Sequence, residues 1–255
     1  MKQVYVCSDT VTGVFSGIYD AWKTKKKADE LGIALRGQME QELFCEYMEV
    51  EESEKKALAV ARLIQKHLSY DAYWHIYHAL LSDDGKKGDA VLGTMLAARE
   101  IPDSTKIMRH LTHPQVQKVF ELSRRANNEA HYMIELVRFV ELENGILFSQ
   151  IEPKCQVLPC MADHFENRFP LENWMIYDKT NEQFLVHESQ KKWILVSDVD
   201  VNLEKMTRIS HKEYVYAKLW KGFFESISIK ERENYERQRQ HLPIRLRKYL
   251  TEFQE

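Results

Sequence analysis

Hydrophobic residues recur every three or four positions through much of the first half of the chain, from Ser53 to about Val140. This spacing is typical of amphipathic helices. Separate helices are predicted over 53–67, 70–81 and 90–99 and from Pro114 onward. Near the start, Val4–Val6 predicts a short strand, and Asp9-Thr10 is a suitable N-cap for the helix that follows. The first part of the chain is therefore predicted to be mainly helical.

The apolar pattern changes to short alternating runs after Leu136. Two of these runs flank Asn144-Gly145, a dipeptide that predicts a β-hairpin. The strands are predicted over 137–142, 146–151, 174–178, 184–188 and 192–196. We therefore expect an α+β fold, mostly helical, with one antiparallel sheet of five or six short strands built mainly from residues 137–198. The sixth strand would be Val4–Val6.

The sequence contains no obvious domain linker. No stretch rich in glycine, proline or serine separates the zones, so we expect a single continuous domain over residues 1–255. Its parts are a helical part over 1–136, a sheet region over 137–200 and a helical tail over 208–252. Glu40–Glu54 contains seven acids and no base, and such a block of like charges predicts a solvated loop.

Composition narrows the possible partners and compartments. The chain has 36 Lys and Arg against 39 Asp and Glu, a formal net charge of −3, so a nucleic-acid site must come from local clusters of cations. No apolar run is long enough to span a membrane, and the first residues do not resemble a secretory signal. Four cysteines in 255 residues are too few for a disulfide scaffold. We expect a reduced, cytoplasmic protein with no membrane partner, and its oligomeric state stays open.

The segment from Pro114 to Val137 carries a polar stripe opposite its apolar face. At about 100° per residue, the stripe falls within an arc of roughly 80°. Its members are Arg124, Asn128, His131, Glu135 and Arg138. A histidine four residues before a glutamate can be held in one tautomer, and the flanking arginines can receive phosphate or carboxylate. The same pattern fits an ordinary solvated face, so both interpretations stay open.

The tail contains a basic tract from Arg237 to Leu250. It has no acid, and its cations are Arg237, Arg239, Arg245, Arg247 and Lys248, interleaved with His241 and Tyr249. Arginines among planar side chains are one pattern of nucleic-acid contact, since guanidinium groups bind phosphates and rings stack on bases. Pro243 is predicted to split the tract into two short helices. A solvated or ion-paired face is the alternative.

No established catalytic, metal or cofactor motif is present. The chain has no Walker A loop, glycine-rich dinucleotide fingerprint or Gly-x-Ser-x-Gly elbow. Cys155-x4-Cys160-x3-His164 does not have zinc-site spacing, and no three-cysteine cluster that could hold an iron–sulfur centre is found. His75 and His78, among aromatic residues, are predicted to be packed histidines. We therefore predict no metal and no cofactor.

Several stretches resemble the bacterial "probable DNA metabolism protein" family, a domain of unknown function. The first set is Arg124-Arg125, Glu129-Ala130-His131 and Val137-Arg138-Phe139. The second is Ile151-Glu152-Pro153, Val157-Leu158-Pro159, His164-Phe165-x-x-Arg168-Phe169-Pro170 and Trp174-x-Ile176-x-Asp178. The third is Leu219-Trp220-x-x-Phe223-Phe224, Ile229-Lys230-x-Arg232-x-Asn234 and Gln238-x-x-His241-x-Pro243-x-Arg245. The resemblance covers nearly the whole chain in a consistent order.

The resemblance implies a role in DNA repair or modification. Members of the family are encoded beside a radical-SAM protein, and the domain also occurs fused to a uracil-DNA-glycosylase-like domain. Those chemistries would belong to a partner, because this chain has neither the fused domain nor the cysteines. Two positions depart from the family pattern: Tyr235 stands where proline follows Asn234, and Leu246-Arg247 stands where an aromatic pair is expected. These departures weaken the case for stacking by the tail.

Two functional hypotheses from different classes follow. The first is an accessory protein of DNA metabolism that binds nucleic acid, recruits a radical-SAM partner, or does both. Its expected nucleic-acid contacts are Arg124, Asn128, Arg138, Arg168, Arg232, Gln238, Arg239, His241 and Arg245. The second is an enzyme acting on nucleic acid or a nucleotide by general acid–base chemistry, with arginines as phosphate clamps. Its candidate catalytic residues are His131 and His164, with Glu129, Glu141 or Glu152 as carboxylate partner.

Overall fold

The computed structural model describes residues 1–39, 42–197 and 208–253. The chain divides into two compact units, Met1–Asn128 and Glu129–Glu255, which are described separately below. The expectation of a single continuous domain stays a prediction. Glu40 of the acidic segment and residues 198–200 of the predicted sheet region lie outside the described residues.

The first unit is built on a small parallel sheet. Its strands are β1 (Lys2–Cys7), β2 (Leu31–Leu35) and β3 (Cys45–Glu49), in the order β2-β1-β3. Strand β1 was expected to join the other sheet, but both of its neighbours come from this unit. β3 lies inside the acidic segment that was predicted to be a loop, and that prediction was wrong for these residues. β3 is an edge strand with exposed Glu46 and Glu49, and edge strands readily carry charges.

Helices cover the rest of the first unit as the periodicity predicts. They are α1 (Val11–Lys23), α2 (Glu54–His67), α3 (Tyr70–Leu80) and α4 (Lys87–Ala97). Thr10 caps α1, since its hydroxyl accepts a hydrogen bond from Gly13 N at 2.8 Å. His75 and His78 are packed as predicted, hydrogen-bonded to Ser123 and Asn127. The next helix, α5 (Pro114–Leu136), contains the boundary between the units.

The second unit contains the predicted five-stranded sheet, and the α+β fold class is confirmed. The strands are β4 (Val140–Glu141), β5 (Leu147–Ile151), β6 (Trp174–Asp178), β7 (Gln183–His187) and β8 (Ile194–Ser197), in sequence order across the sheet. The sheet is mixed rather than wholly antiparallel, because β5 and β6 pair in parallel. A parallel pair needs a crossover connection, and here it contains α6 (Leu158–Arg168), a helix that the sequence interpretation missed.

The tail is helical, as predicted. Its helices are α7 (His211–Ile227), α8 (Tyr235–His241) and α9 (Ile244–Arg247), with 3₁₀ turns at Lys230–Arg232 and Thr251–Phe253. Pro243 separates α8 from α9, as expected. Leu246 and Leu250 are buried, whereas no residue of α7 is buried. None of the helices in the described ranges is both long enough and apolar enough to cross a membrane.

Candidate nucleic-acid interface

A surface groove of about 380 Å³ is formed within the second unit by the end of α7, the following 3₁₀ turn and α8. Its lining residues are Phe224, Ser228, Arg232, Glu233, Asn234, Tyr235, Arg237, Gln238 and His241. We call it the tail groove. Three of the predicted nucleic-acid contacts, Arg232, Gln238 and His241, therefore lie together.

Local sequence places the side chains of α8 in the tail groove. The side chain of Asn234 caps the helix by accepting a hydrogen bond from Arg237 N at 2.9 Å. Arg237 and His241 are four residues apart, as are Asn234 and Gln238, and this spacing puts side chains on the same side of a helix. The cap therefore fixes where α8 begins and which of its side chains line the groove.

The tail groove carries cations with no anionic partner of their own. Arg232 and Arg237 are exposed, and neither guanidinium forms an ion pair or hydrogen bond within the described part of the chain. Glu233 is the acid in the lining, and its carboxylate accepts a hydrogen bond from the Tyr235 hydroxyl at 3.2 Å. Two arginines against one glutamate give the lining a positive charge, although Glu231 and Glu236 stand beside it in the chain and the whole chain is negative.

Two other predicted phosphate ligands are engaged with the protein itself. Arg138 donates to the carbonyl oxygens of Glu135 (2.9 Å) and Val137 (3.2 Å) at the end of α5, and it lies 3.5 Å from the carboxylate of Glu252. The last carbonyls of a helix lack partners within it, so an arginine here acts as a C-terminal cap. Arg245 donates to the carbonyl oxygen of Glu152 at 3.0 Å.

Glu152, a catalytic candidate, is the centre of an ionic cluster at the end of β5. Its carboxylate lies 2.9 Å from Lys248 Nζ and 3.4 Å from Lys179 Nζ. Hydrogen bonds from Tyr249 and Lys248 lower the pKa of Glu152 to about 2. Burial, together with the hydrogen bond to Glu152, raises the pKa of Tyr249 to about 12. The cluster attaches the tail to the sheet, which is a structural role.

Glu129 also has a structural role. Its two carboxylate oxygens accept hydrogen bonds from the backbone N–H groups of Lys154 and Cys155, each at 2.8 Å. Both amides belong to the loop between β5 and α6, where the described backbone is in neither a strand nor a helix. The carboxylate therefore holds the start of the crossover against α5.

The structure does not join the catalytic candidates to one another. His131 is exposed on α5, and His164 is exposed on α6 with its ring edge-on to Phe165 at a centroid distance of 5.0 Å. Across the described ranges, no ion pair or hydrogen bond connects either histidine to Glu129, Glu141 or Glu152, or His131 to Glu135. The acid–base hypothesis therefore stays a prediction, and neither candidate histidine is paired with a candidate carboxylate in the described residues.

The remaining nucleic-acid candidates do not line the tail groove. Arg124 and Asn128 belong to the first unit, where Arg124 lies 6.0 Å from the ring of Phe120. Arg168, in the second unit, lies 5.6 Å from the ring of Phe169. Arg239 is exposed on α8 but does not line the groove.

Sequence reasoning missed six residues of the tail groove: Phe224, Ser228, Glu233, Asn234, Tyr235 and Arg237. Arg237 was noted in the basic tract but not chosen as a contact, and Phe224 belongs to a motif that carries the family resemblance. Tyr235 stands at a position where the family pattern has proline, so the pattern gave no signal. Tyr235 is 70% exposed, which makes its ring available to a ligand.

Among the described residues, the cysteines are not grouped with further metal-ligating side chains. Cys155 is buried, and burial raises the pKa of Cys160 to about 12. In the portion of the chain that the structure describes, no three His, Cys, Asp or Glu side chains are grouped so that they could hold a metal ion.

The fold and the groove together define an α+β protein with an arginine- and aromatic-lined groove in its C-terminal half. The chain belongs to the family described as domain of unknown function DUF4130, whose sequence profile matches residues 86–252. No curated protein matches the chain. A solved structure described as the DHH domain of a member of the S1p family of ribosomal proteins is similar at a TM-score of 0.32 and 10% identity, over 74% of each chain. A likeness this weak carries no argument about fold or function.

Proposed function

We propose that this protein is a non-catalytic accessory protein of DNA metabolism that binds nucleic acid through the tail groove. One observation carries the proposal: Arg232 and Arg237, both exposed and without an anionic partner in the described residues, line the same groove as Gln238 and His241. All four residues lie within the part of the chain that matches the family profile.

The chemistry of these side chains suits a phosphate backbone. A guanidinium group offers planar, paired N–H donors that match phosphate oxygens, and its charge is permanent. The amide of Gln238 and the imidazole of His241 add further N–H donors. Each phosphate that an arginine neutralises releases condensed counterions, so affinity should fall steeply with salt.

The role in DNA metabolism and the recruitment of a radical-SAM protein are proposals that rest on the family resemblance. The groove supports them only as far as it supplies a site for a polyanion. DNA is therefore the first nucleic acid to test, and the radical-SAM protein is the first protein partner to test.

The experiment is a fluorescence-anisotropy titration of labelled single-stranded and duplex DNA over a salt series. Wild type is compared with Arg232→Ala/Arg237→Ala. The matched control is Arg62→Ala/Arg109→Ala, which removes two exposed arginines of the first unit that have no ion pair in the described residues. We expect the groove variant to bind more weakly and its salt slope to be shallower by about 1.4 to 1.8, for two lost phosphate contacts. Equal affinity and slope in the two variants would exclude the tail groove.

A further inference from the structure

We propose that the exposed aromatic face of α7 is a stacking platform for the bases of a single-stranded nucleic acid whose phosphates lie in the tail groove. This inference rests on the proposed function and adds the substrate class. It assigns a role to a surface of the second unit that neither the family resemblance nor the groove explains.

The platform is one side of α7. At about 100° per residue, Val215, Tyr216, Leu219, Phe223 and Ile227 fall within an arc of roughly 120°. All five are exposed, with Tyr216, Leu219 and Phe223 at 58%, 62% and 53%. Lys218, Lys221 and Glu225 lie on the opposite side. A helix with such a pattern ordinarily buries its apolar side, yet no residue of α7 is buried.

The contacts that α7 does make leave this side open. The Trp220 indole N–H donates to the carboxylate of Glu252 at 3.3 Å, and the Phe224 ring lies 6.4 Å from that of Phe253. Trp220 and Phe224 stand at one edge of the apolar arc. The 3₁₀ turn at Thr251–Phe253 therefore covers that edge, while the side centred on Phe223 faces outward in the described structure.

The platform is continuous with the tail groove. Phe224 belongs to α7 and lines the groove, and the rings of Trp220 and Phe223 are 5.9 Å apart on the neighbouring surface. The aromatic side chains of α7 therefore adjoin the groove that Arg232 and Arg237 line. A cationic groove beside exposed aromatic rings is the arrangement by which proteins bind single strands, with the backbone in the groove and the bases stacked on the rings.

This arrangement favours a single strand over two other occupants. A duplex keeps the faces of its bases stacked inside and offers none of them to a protein ring. An interface between two protein copies has a core depleted of charged residues. This apolar surface instead adjoins arginines that have no ion pair in the described residues, and their charges would oppose those of a second copy. Charge complementarity therefore favours a polyanion whose bases are exposed, which is a single-stranded nucleic acid.

The test uses the full chain and three labelled probes of one length: a 15-nucleotide oligothymidine, an abasic strand with the same phosphates, and a duplex. The variant is Tyr216→Leu/Phe223→Leu, which keeps an apolar helix but removes two rings. The matched control is Phe44→Leu/Tyr70→Leu, which removes one exposed phenylalanine and one exposed tyrosine from the first unit. Light scattering after size-exclusion chromatography measures the oligomeric state of each protein.

We expect wild type to bind oligothymidine more tightly than the abasic strand or the duplex at equal salt. The platform variant should bind oligothymidine at least about fivefold more weakly than the control, and its affinity for the abasic strand should not change. Oligothymidine should also quench the fluorescence of Trp220 in wild type, and Trp220→Phe should lose that part of the quenching.

Other results would overturn the inference in distinguishable ways. If the platform variant binds oligothymidine as wild type does, or if the duplex or abasic strand binds as tightly, stacking on α7 is excluded while the groove proposal stands. If no probe binds at low salt, the proposed function itself fails, and the stacking platform fails with it. If wild type is a dimer that the platform variant converts to a monomer, the face is an interface between copies.

Discussion

The ammonium group of Lys248 lies 2.9 Å from the carboxylate of Glu152, although the two residues are 96 positions apart in the chain. The pair joins the segment after α9 to the end of β5, and the guanidinium of Arg245 reinforces it through the Glu152 carbonyl. Tyr132 adds a second attachment by donating its hydroxyl to the carbonyl oxygen of His241 at 2.7 Å. The groove-forming helix α8 is therefore held on both sides of Pro243 by contacts to the rest of its unit.

Replacing Glu152 with glutamine should loosen this attachment in a pH-dependent way. The pKa of Glu152 is lowered from 4.5 to about 2, chiefly by hydrogen bonds from Tyr249 and Lys248. The ionised carboxylate therefore contributes stability that is fully present above pH 4.5 and is lost as the pH falls towards 2. We expect Glu152→Gln to lower the free energy of unfolding by about 1 kcal/mol at pH 7, since partly exposed ion pairs are weak.

Urea denaturation of Glu152→Gln and wild type at pH 7 and pH 2.5 would measure this effect, with the exposed Glu135→Gln as a matched control. The difference from wild type should shrink at the lower pH. A difference that is equal at both pH values would mean that the glutamate acts through its shape and not through its charge.

Asp178 should produce the opposite pH dependence. Its side chain is fully buried, and burial raises its pKa from 3.8 to about 6 despite hydrogen bonds from Asn181 and Thr180. The folded state then binds the proton more tightly than the unfolded state, so stability falls as the pH rises from 3.8 to about 6. We expect Asp178→Asn to flatten the stability profile in this window. Thermal denaturation from pH 4 to 7 measures the slope, and an unchanged slope would assign the titration to another group.

The four cysteines should differ in reactivity. Burial raises the pKa values of Cys7 and Cys160 to about 12, and Cys155 is fully buried. The reactive species is the thiolate, so these thiols should react slowly at pH 8. Cys45, which is partly exposed, should give the fast phase with a disulfide reagent such as DTNB. Cys45→Ser should remove that phase and Cys160→Ser should leave it, whereas the reverse result would contradict the raised pKa of Cys160, which like Cys45 is partly exposed.

The elements that the sequence predicted best are those in which one pattern extends over many residues. The buried side of α5, with Val116, Val119, Ala126 and Met133, was predicted because the helical spacing continues for more than twenty residues. Strand β3 was missed because its glutamates indicate only that the segment is exposed to solvent. Such exposure fits an edge strand as well as a loop. Helix α6 was missed because Cys155, Cys160 and His164 suggest a ligand spacing, although Met161, Ala162 and Phe165 of this helix are buried at helical spacing.

The candidate site was predictable from the sequence only where its residues are close together in the chain. Arg232, Gln238 and His241 lie in one continuous segment, so local structure alone brings them together in the groove. Arg245 has the same chemistry, but its guanidinium is used by the carbonyl of Glu152, 93 positions away. No local pattern predicts such a partner, because the contact depends on how the tail docks on the sheet.

The last prediction concerns Lys87, which is 1% exposed at the start of α4. Its ammonium donates to the carbonyl of Ser82 at 2.6 Å and pairs with the carboxylate of Asp9, which follows β1. Lys87 is buried but Asp9 is 30% exposed and also accepts a hydrogen bond from Gln38, so Lys87→Met should lower the stability by about 1 to 3 kcal/mol. Because Asp9 loses this cation in Lys87→Met but keeps the hydrogen bond from Gln38, Asp9→Asn/Lys87→Met should be more stable than Lys87→Met alone. Urea denaturation of the double-mutant cycle measures the coupling. Purely additive effects would show that Lys87 acts through its hydrogen bond to Ser82 and not through Asp9.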